Sequence, residues 1–488
     1  MDHAELRQHV LPALLIAFGV AACATASASP DPDAPSSPAT AETTTWDELD
    51  RRSKREIERP PALADGALLF ENGVIMTVSG ETLSPGWLFV REGRIAALGA
   101  GKAPGDLDTK GVEPTRIDLG GRTLTPGLID AHSHLGVYPS PPLSANRDGN
   151  EMTSPNTAGV QAEHGFWPGD PGLVRALEGG VTTIHVLPGS GNLIGGRGVT
   201  LSLRLTRGAR AMRFPGAPDS VKMACGENPK RVYGNKGSSP MTRMGNVRGY
   251  REAFAAAQRW RREQGKKPAD EVTRDINLET LVGLLEGRIL AQVHCYTAQD
   301  MLSFLSVAEE FGFRVRAFHH ALEAYKVRDL LAERQIGVAT WADWWGFKLE
   351  AWDTVDEAAA LLAVSGVKVS IHSDSGEGIQ RLNQEAAKAL FSGLRAGLPL
   401  KREDALRWVT ANPAWQLGIE TEVGTLEVGK RADLVVWDQD PLRVYAKADL
   451  VWVGGELVID RKAGKAPVVD FTVGLPPQHF GPSTGGTK

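Results

Sequence analysis

Six side chains able to hold a metal or move a proton each end a short apolar run. His132 and His134 follow Leu128-Ile-Asp-Ala, and His294 follows Leu290-Ala-Gln-Val. His319 and His320 follow Val315-Arg-Ala-Phe, and Asp374 closes Val369-Ser-Ile-His-Ser. On an extended backbone residues i and i+2 point to one face, so His132 and His134 can reach one ion. Two to four imidazoles plus a carboxylate suit Zn²⁺ or a similar borderline divalent metal, one or two per chain. Such an ion brings the pKa of its water to about 7, and a nearby carboxylate can carry the proton. The chemistry open to this cluster is hydrolysis.

Other residues read two ways. His185 follows Thr182-Thr-Ile and either contacts substrate or hydrogen-bonds within the core. His319 is expected to be structural, and His372 to orient Asp374 two residues later. Arg231, Tyr233 and Arg243 are carboxylate anchors or solvated loop groups. Trp341-Ala-Asp-Trp-Trp-Gly-Phe packs in the core or lines an apolar substrate pocket, with Trp344 the substrate candidate. Gly195-Gly-Arg-Gly approaches substrate closely or makes a tight turn; it is no dinucleotide fingerprint. Cys225 and Cys295 lack Cys-x-x-Cys spacing and are expected as free thiols beside the cluster.

These groups need strands that end together. Apolar runs at 127–131, 181–187, 221–224, 289–293, 315–318, 337–341 and 367–371 alternate with helical stretches such as 298–311 and 354–363. That alternation predicts an α/β fold, a (β/α)8 barrel over 126–418, in which chemistry sits at the C-terminal strand ends. The flanks, 63–125 and 419–470, are β-rich. Asn72-Gly73 and Glu92-Gly93 predict hairpin turns, and 424–437 predicts strand, turn, strand. Two such flanks predict one small β-sandwich.

The chain has 488 residues, 42% hydrophobic and 23% charged, as in a globular protein with a large core. A net charge of -5 argues against nucleic acid as a partner. Three cysteines exclude a disulfide-dense scaffold. The apolar run 11–22, ending Val20-Ala-Ala-Cys23, resembles a bacterial lipobox, giving a signal over 1–23 with Cys23 as lipid acceptor. Residues 24–62 read as a tether and charged lead-in, and 471–488 as a tail. The expected location is the periplasm, with the membrane touched only through the lipid, on the outer-membrane face.

Pro126-Gly-Leu-Ile-Asp-Ala-His-Ser-His resembles the first-strand motif of the amidohydrolase superfamily. Asn412-Pro-Ala-Trp-Gln-Leu-Gly-Ile, with the Gly424-Thr-Leu-Glu-Val-Gly-Lys-Arg-Ala-Asp-Leu-Val-Val-Trp segment, resembles its return from barrel to sandwich. The likeness spans about 64–460 and is nearest to the imidazolonepropionase-related, Xaa-Pro dipeptidase-like branch. It implies His132 and His134 on one metal and His294 and His320 on a second. His320 is chosen over His319 because His320-Ala-Leu-Glu-Ala-Tyr-Lys matches the branch. It implies Asp374 as ligand and general base and acid, with His294 counted beside it as catalytic. It also implies a bridging carboxylated lysine at Lys222, or a glutamate at Glu227. Cys295-Tyr-Thr departs from the branch, which puts a shared substrate contact in doubt.

The expected substrate is a small amide, cyclic amide or dipeptide, and an N-acyl amino acid is the close variant. A non-catalytic scaffold on the same fold is the alternative, although it would be expected to lose ligands that are all present here. The reading is compatible with a homo-oligomer.

Overall fold

The computed structural model describes residues 62–206, 208–266, 268, 271 and 273–467. The expected signal, Cys23, the tether up to residue 61 and the tail lie outside the described residues. No helix among the described residues is long and apolar enough to cross a membrane.

Five strands come first: β1 (Ala67–Met76), β2 (Thr82–Arg91), β3 (Arg94–Ala100), β4 (Thr115–Asp118) and β5 (Thr123–Pro126). The barrel strands follow: β6 (Leu128–Ser133), β7 (Val181–Val186), β8 (Ile194–Ser202), β9 (Ser220–Ala224), β10 (Leu290–Cys295), β11 (Val315–His320), β12 (Gly337–Thr340) and β13 (Val369–Ile371). The chain ends in β14 (Leu434–Trp437), β15 (Ala448–Val453) and β16 (Glu456–Asp460).

The two flanks form one sheet, ordered β16-β15-β14-β5-β1-β2-β3, with β4 beside β1. The seam is the antiparallel pairing of β5 with β14. The sheet folds over its own apolar core: Phe70 meets Trp452 edge-on at 4.9 Å, above buried Ile75, Leu88, Leu124 and Val436. Glu92-Gly93 makes the expected two-residue turn, both residues at positive φ.

Two hairpin expectations are corrected. Asn72-Gly73 is not a turn; β1 runs through it with a bulge against β2. Asn72 supplies the positive φ, and a Cβ on Gly73 would fall 2.2 Å from the Leu119 side chain. In the segment 424–437 only β14 forms; before it the chain makes single contacts, such as Leu426 N–H to Thr77 O.

The barrel strands are ordered β6 through β13, and β6, β7 and β9 are buried along their whole length. Both faces are covered, which is why these runs read as continuous apolar sequence. The barrel departs from an all-parallel one at β8, which runs antiparallel to β7 and β9. The connection 187–193 is too short for a crossover helix, and only an antiparallel partner can be joined so tightly. Gly195-Gly-Arg-Gly therefore lies within β8, which corrects the tight-turn reading of it. A Cβ on Gly198 would sit 2.9 Å from His185 Nε2.

Elsewhere helices carry the chain back. Thr297 caps the helix Ala298–Phe311, whose end is turned by Gly312 at φ 72°, and β11 follows. The barrel closes where the Asp374 N–H donates to His132 O at 3.2 Å.

Candidate active site

The polar strand ends converge on one side of the barrel. His132 and His134 leave β6, Lys222 lies on β9, His294 on β10, His319 and His320 on β11, and His372 and Asp374 follow β13. His320, Ala321 and Asp374 adopt positive φ of 65°, 42° and 48°. L-residues rarely hold that conformation, and strain of this kind clusters at functional sites.

His134 is bracketed by three polar groups. Its Nε2 is 3.3 Å from His132 Nε2 and 3.4 Å from Asp374 Oδ1, and its Nδ1 is 2.7 Å from Leu187 O. The last contact fixes Nδ1 as the protonated nitrogen, leaving Nε2 with a free lone pair. Lys222 is 1% exposed, with Nζ 3.4 Å from His132 Nε2 and 3.3 Å from Pro188 O. His319 stands behind, its Nδ1 2.9 Å from His132 Nδ1 and its Nε2 2.7 Å from Gln292 Oε1. This places His319 behind the His132 ring, hydrogen-bonded at both of its own nitrogens.

Burial sets the charges. It holds His132, His294, His319, His320 and His372 well below the ordinary imidazole value, and His134 at about 3. Neutral imidazoles are the form that binds metal. Burial also lowers the Lys222 amine and raises the Asp374 carboxyl.

The donor set fits a metal. His132, His134 and Asp374 bring ligand atoms within 4.8 Å of one another, and so do His132, His320 and His372. His294 Nδ1, His320 Nδ1 and both nitrogens of His372 are buried without a protein partner. Unpaired buried polar atoms cost about 1–3 kcal/mol each, so a ligand that uses them relieves the cost. His294 is offset from both sets. Its ring is 4.7 Å from that of His320, and its Nε2 is 3.3 Å from Asn228 Nδ2.

Lys222 reaches the cluster and Glu227 does not: the Glu227 carboxylate pairs with Lys348 at 3.0 Å. Three further expectations are corrected, and His185 takes the second of its two readings. His185 is buried, with its nitrogens against Ser220 Oγ at 2.7 Å and Ala131 O at 3.3 Å, so it is a core hydrogen-bonding group and no substrate contact. Tyr233 is also buried, and its hydroxyl donates to Asn192 Oδ1 at 2.7 Å. Arg243 is held by Asp300 at 3.1 Å and by Glu350, so its guanidinium is not free for a substrate carboxylate. Cys225 and Cys295 are not free thiols but a disulfide, Cα–Cα 5.2 Å. The reason is register: Ala224 pairs with His294 across β9 and β10, which sets the two following residues side by side.

Arg231 remains exposed. Trp344 stacks on Trp341 at 6.0 Å, and both line a cavity of about 640 Å³ that reaches His372 and Ser373. Trp341 in turn stacks on His320 at 4.4 Å.

Some contributors were not singled out beforehand. Asp130 accepts from the His132 N–H at 3.1 Å and from Ser373 Oγ at 2.5 Å, joining the two ends of the barrel, and burial pushes it up to about 6. Tyr296 stacks on His320, and Lys348 Nζ lies 4.1 Å over the Tyr296 ring. Tyr296 sits two residues after His294, a spacing that could have flagged it. Lys348 carried no such signal.

Comparison with known proteins agrees with this geometry. The family model described as "Amidohydrolase family" matches residues 314–459. A solved amidohydrolase from Thermotoga maritima MSB8 is 33% identical, with a TM-score of 0.72, over 81% of this chain and 100% of that one. Amidohydrolase tasK of Hapsidospora irregularis is 36% identical over 368 residues, 70% of this chain but only 37% of that protein's length. An imidazolonepropionase of Rhizobium rhizogenes is 25% identical over 73% of this chain and 88% of its own. The chain belongs to the amidohydrolase superfamily, whose members are generally metal-dependent, and is a hydrolase acting on carbon–nitrogen bonds.

Proposed function

We propose that the protein hydrolyses an amide or cyclic amide of a small molecule with the aid of a divalent metal, zinc in the first instance. The observation that carries this is the meeting of His132, His134 and Asp374 beside the buried amine of Lys222. His132, His134 and Asp374 would hold one ion, and His320 with His294 would serve a second. Lys222, its amine buried amid neutral imidazoles, suits reaction with dissolved CO2 to a carbamate, with release of one proton, which would add an anionic donor to the metal-holding residues. A bound metal would supply Lewis acidity and a water acidic enough to react at neutral pH.

The chain's own residues do the rest. Asp374 takes the proton of the attacking water on Oδ1 and returns it to the leaving nitrogen. His319 and Leu187 O keep the rings of His132 and His134 aimed. Trp341 and Trp344 offer an apolar wall to the substrate, and exposed Arg231 is a candidate for its charged end.

Export is the proposed address, with Cys23 as lipid acceptor. The Cys225–Cys295 disulfide supports it, since disulfides persist in oxidising compartments.

The test is metal analysis of purified protein with a panel of dipeptides, N-acyl amino acids, lactams, lactones and imidazolones. Bound metal and a chelator-sensitive turnover of one class are expected. A metal-free protein with full turnover would overturn the reading.

A further inference from the structure

The ion pairs beside the histidine centre hold up a surface that hydrolysis does not use. Arg243 opens the helix Arg243–Gln264 and meets Glu350, while Lys348 meets Glu227 at 3.0 Å. The loop after β9 is thereby tied to the loop after β12. Six large apolar side chains of these two loops face water: Met241 and Met244 on the first, Trp344, Phe347, Leu349 and Trp352 on the second. The backbone explains the outward aim. Leu349–Ala351 is one 3-10 turn, and its Glu350 and Ala351 are buried. Residues three apart eclipse in that geometry, so Leu349 and Trp352 leave on one outer side. They are 87% and 67% exposed, and Met244, in the first turn of its helix, is 80% exposed. Scattered exposed apolar residues are ordinary, but this many on two loops fastened together form a patch of the kind that marks an interaction site.

Shape and charge say what covers it. Met244, Leu349 and Trp352 stand out from the surface and do not line the cavity under Trp341 and Trp344. A protruding apolar set suits a soft medium better than a rigid one. Tryptophan, leucine and phenylalanine beside cations are the side chains that settle at the headgroup boundary of a bilayer. The helix Glu227–Gly234 carries Lys230 and Arg231 three and four residues after Glu227, on the side of the Glu227–Lys348 pair. Neither cation has an ion partner among the described residues, so this face keeps positive charge. A twofold contact between copies would set the patch against itself and oppose those cations, whereas anionic headgroups neutralise them. We infer that the loops after β9 and β12 form a docking surface for an anionic lipid bilayer. Residues 24–61 at full extension would span on the order of 100 Å, enough for a body anchored through Cys23 to turn this face to the lipid. The histidine centre lies at the same end of the barrel, so docking presents the entrance of the site to the bilayer.

The test uses the full-length protein on phosphatidylglycerol vesicles with brominated acyl chains, which quench tryptophan on contact. Among the described residues only Trp344 and Trp352 are exposed tryptophans, so quenching reads this face. Unmutated protein is compared with a Met244→Ser, Leu349→Ser double variant, which keeps every tryptophan and leaves the core and the histidine centre untouched. Quenching of the unmutated protein is expected, and the ratio of docked to undocked protein should fall at least about 10-fold in the double variant. Quenching reads contact and not retention, so an anchor at Cys23 does not imitate it, and loss of the anchor reading leaves the inference standing. Equal quenching in both proteins, or none in either, would overturn the inference and leave the hydrolase reading intact. Equal quenching on brominated phosphatidylcholine vesicles would overturn the assignment to an anionic surface. A dimer in sedimentation that the double variant dissociates would give the patch to a second copy and overturn the lipid assignment.

Discussion

Two polar regions crowd the same end of the barrel and differ in one respect. The histidine centre leaves nitrogens of His294, His320 and His372 without partners. The charged groups of the neighbouring rim are paired. Arg243 joins Asp300 and Glu350, Glu350 also accepts the Glu227 N–H at 3.0 Å, and Lys348 bridges Glu227 and Asn228 at 3.0 Å each. The node pins the segments after β9, β10 and β12 together. Paired buried polar groups hold structure, whereas several unpaired donors gathered in one place suit a ligand. Changes at the centre should therefore remove activity and spare the fold, while changes at the rim should do the reverse.

The largest effect is expected at the centre. Asp374→Asn keeps the shape and removes the proton carrier, so turnover of whichever panel substrate is cleaved should fall about 10²–10⁴-fold. Its urea midpoint, measured with chelator present, should stay close to that of the unmutated protein. An Asn variant that retains turnover would erase the contrast on the catalytic side.

Next comes the seam between the regions, where Cys295 follows His294 and Cys225 precedes Gly226. The disulfide closes a sequence separation of 70 residues. Removing it as Cys225→Ala with Cys295→Ala should cost about 2–4 kcal/mol in denaturant unfolding. The same protein treated with reductant should match the double variant, and an unmutated protein indifferent to reductant would show that the bond does not contribute.

The rim gives a smaller loss with a pH signature. Arg243→Met leaves Asp300 and Glu350 buried without their cation. Losing a buried partner typically costs 3–5 kcal/mol, and the half-exposed guanidinium reduces this to roughly 2–3 kcal/mol. Burial already raises Glu350 above its ordinary value, and without the guanidinium it rises further. The folded variant then holds a proton that the unfolded chain releases, so its stability falls as pH rises. Urea unfolding at about pH 5 and pH 8 should show the larger deficit at pH 8. An equal deficit at both would mean that the carboxylates are not the source.

The comparison also separates what was legible in the sequence from what was not. The parallel strands were legible because each is an apolar run closed by a polar residue, so His132, His134, His294, His320 and Asp374 could be placed at strand ends. The strand β8 was not. After Ile194 its Gly-Gly-Arg-Gly stretch lacks β-formers, and its glycines answer to bulky neighbours, His185 at Gly198 and Val160 at Gly196. Saturation was equally hidden. Arg243 meets Asp300 and Glu350 at 57 and 107 residues' distance, and nothing local to an arginine reveals such partners. The disulfide required the register of β9 against β10, which composition cannot supply. His372 was read as an orienting group because it stands two residues before Asp374. Both of its ring nitrogens are buried without a partner, so no hydrogen bond ties it to Asp374.

The smallest expected effect is the sharpest test of saturation as a criterion. Tyr233 has the chemistry of a substrate anchor and lies two residues from the exposed Arg231, yet its hydroxyl is buried on Asn192 Oδ1. Tyr233→Phe removes one hydroxyl and leaves that acceptor unpaired, which should cost about 1–2 kcal/mol. The Asn192 amide would still donate to Glu151 O at 2.7 Å and Thr157 Oγ1 at 2.6 Å, so the loop should keep its course. KM and kcat should therefore both remain as they are while the unfolding midpoint falls. A rise in KM without loss of stability would return Tyr233 to the substrate and show that a satisfied hydrogen bond does not exclude a group from binding.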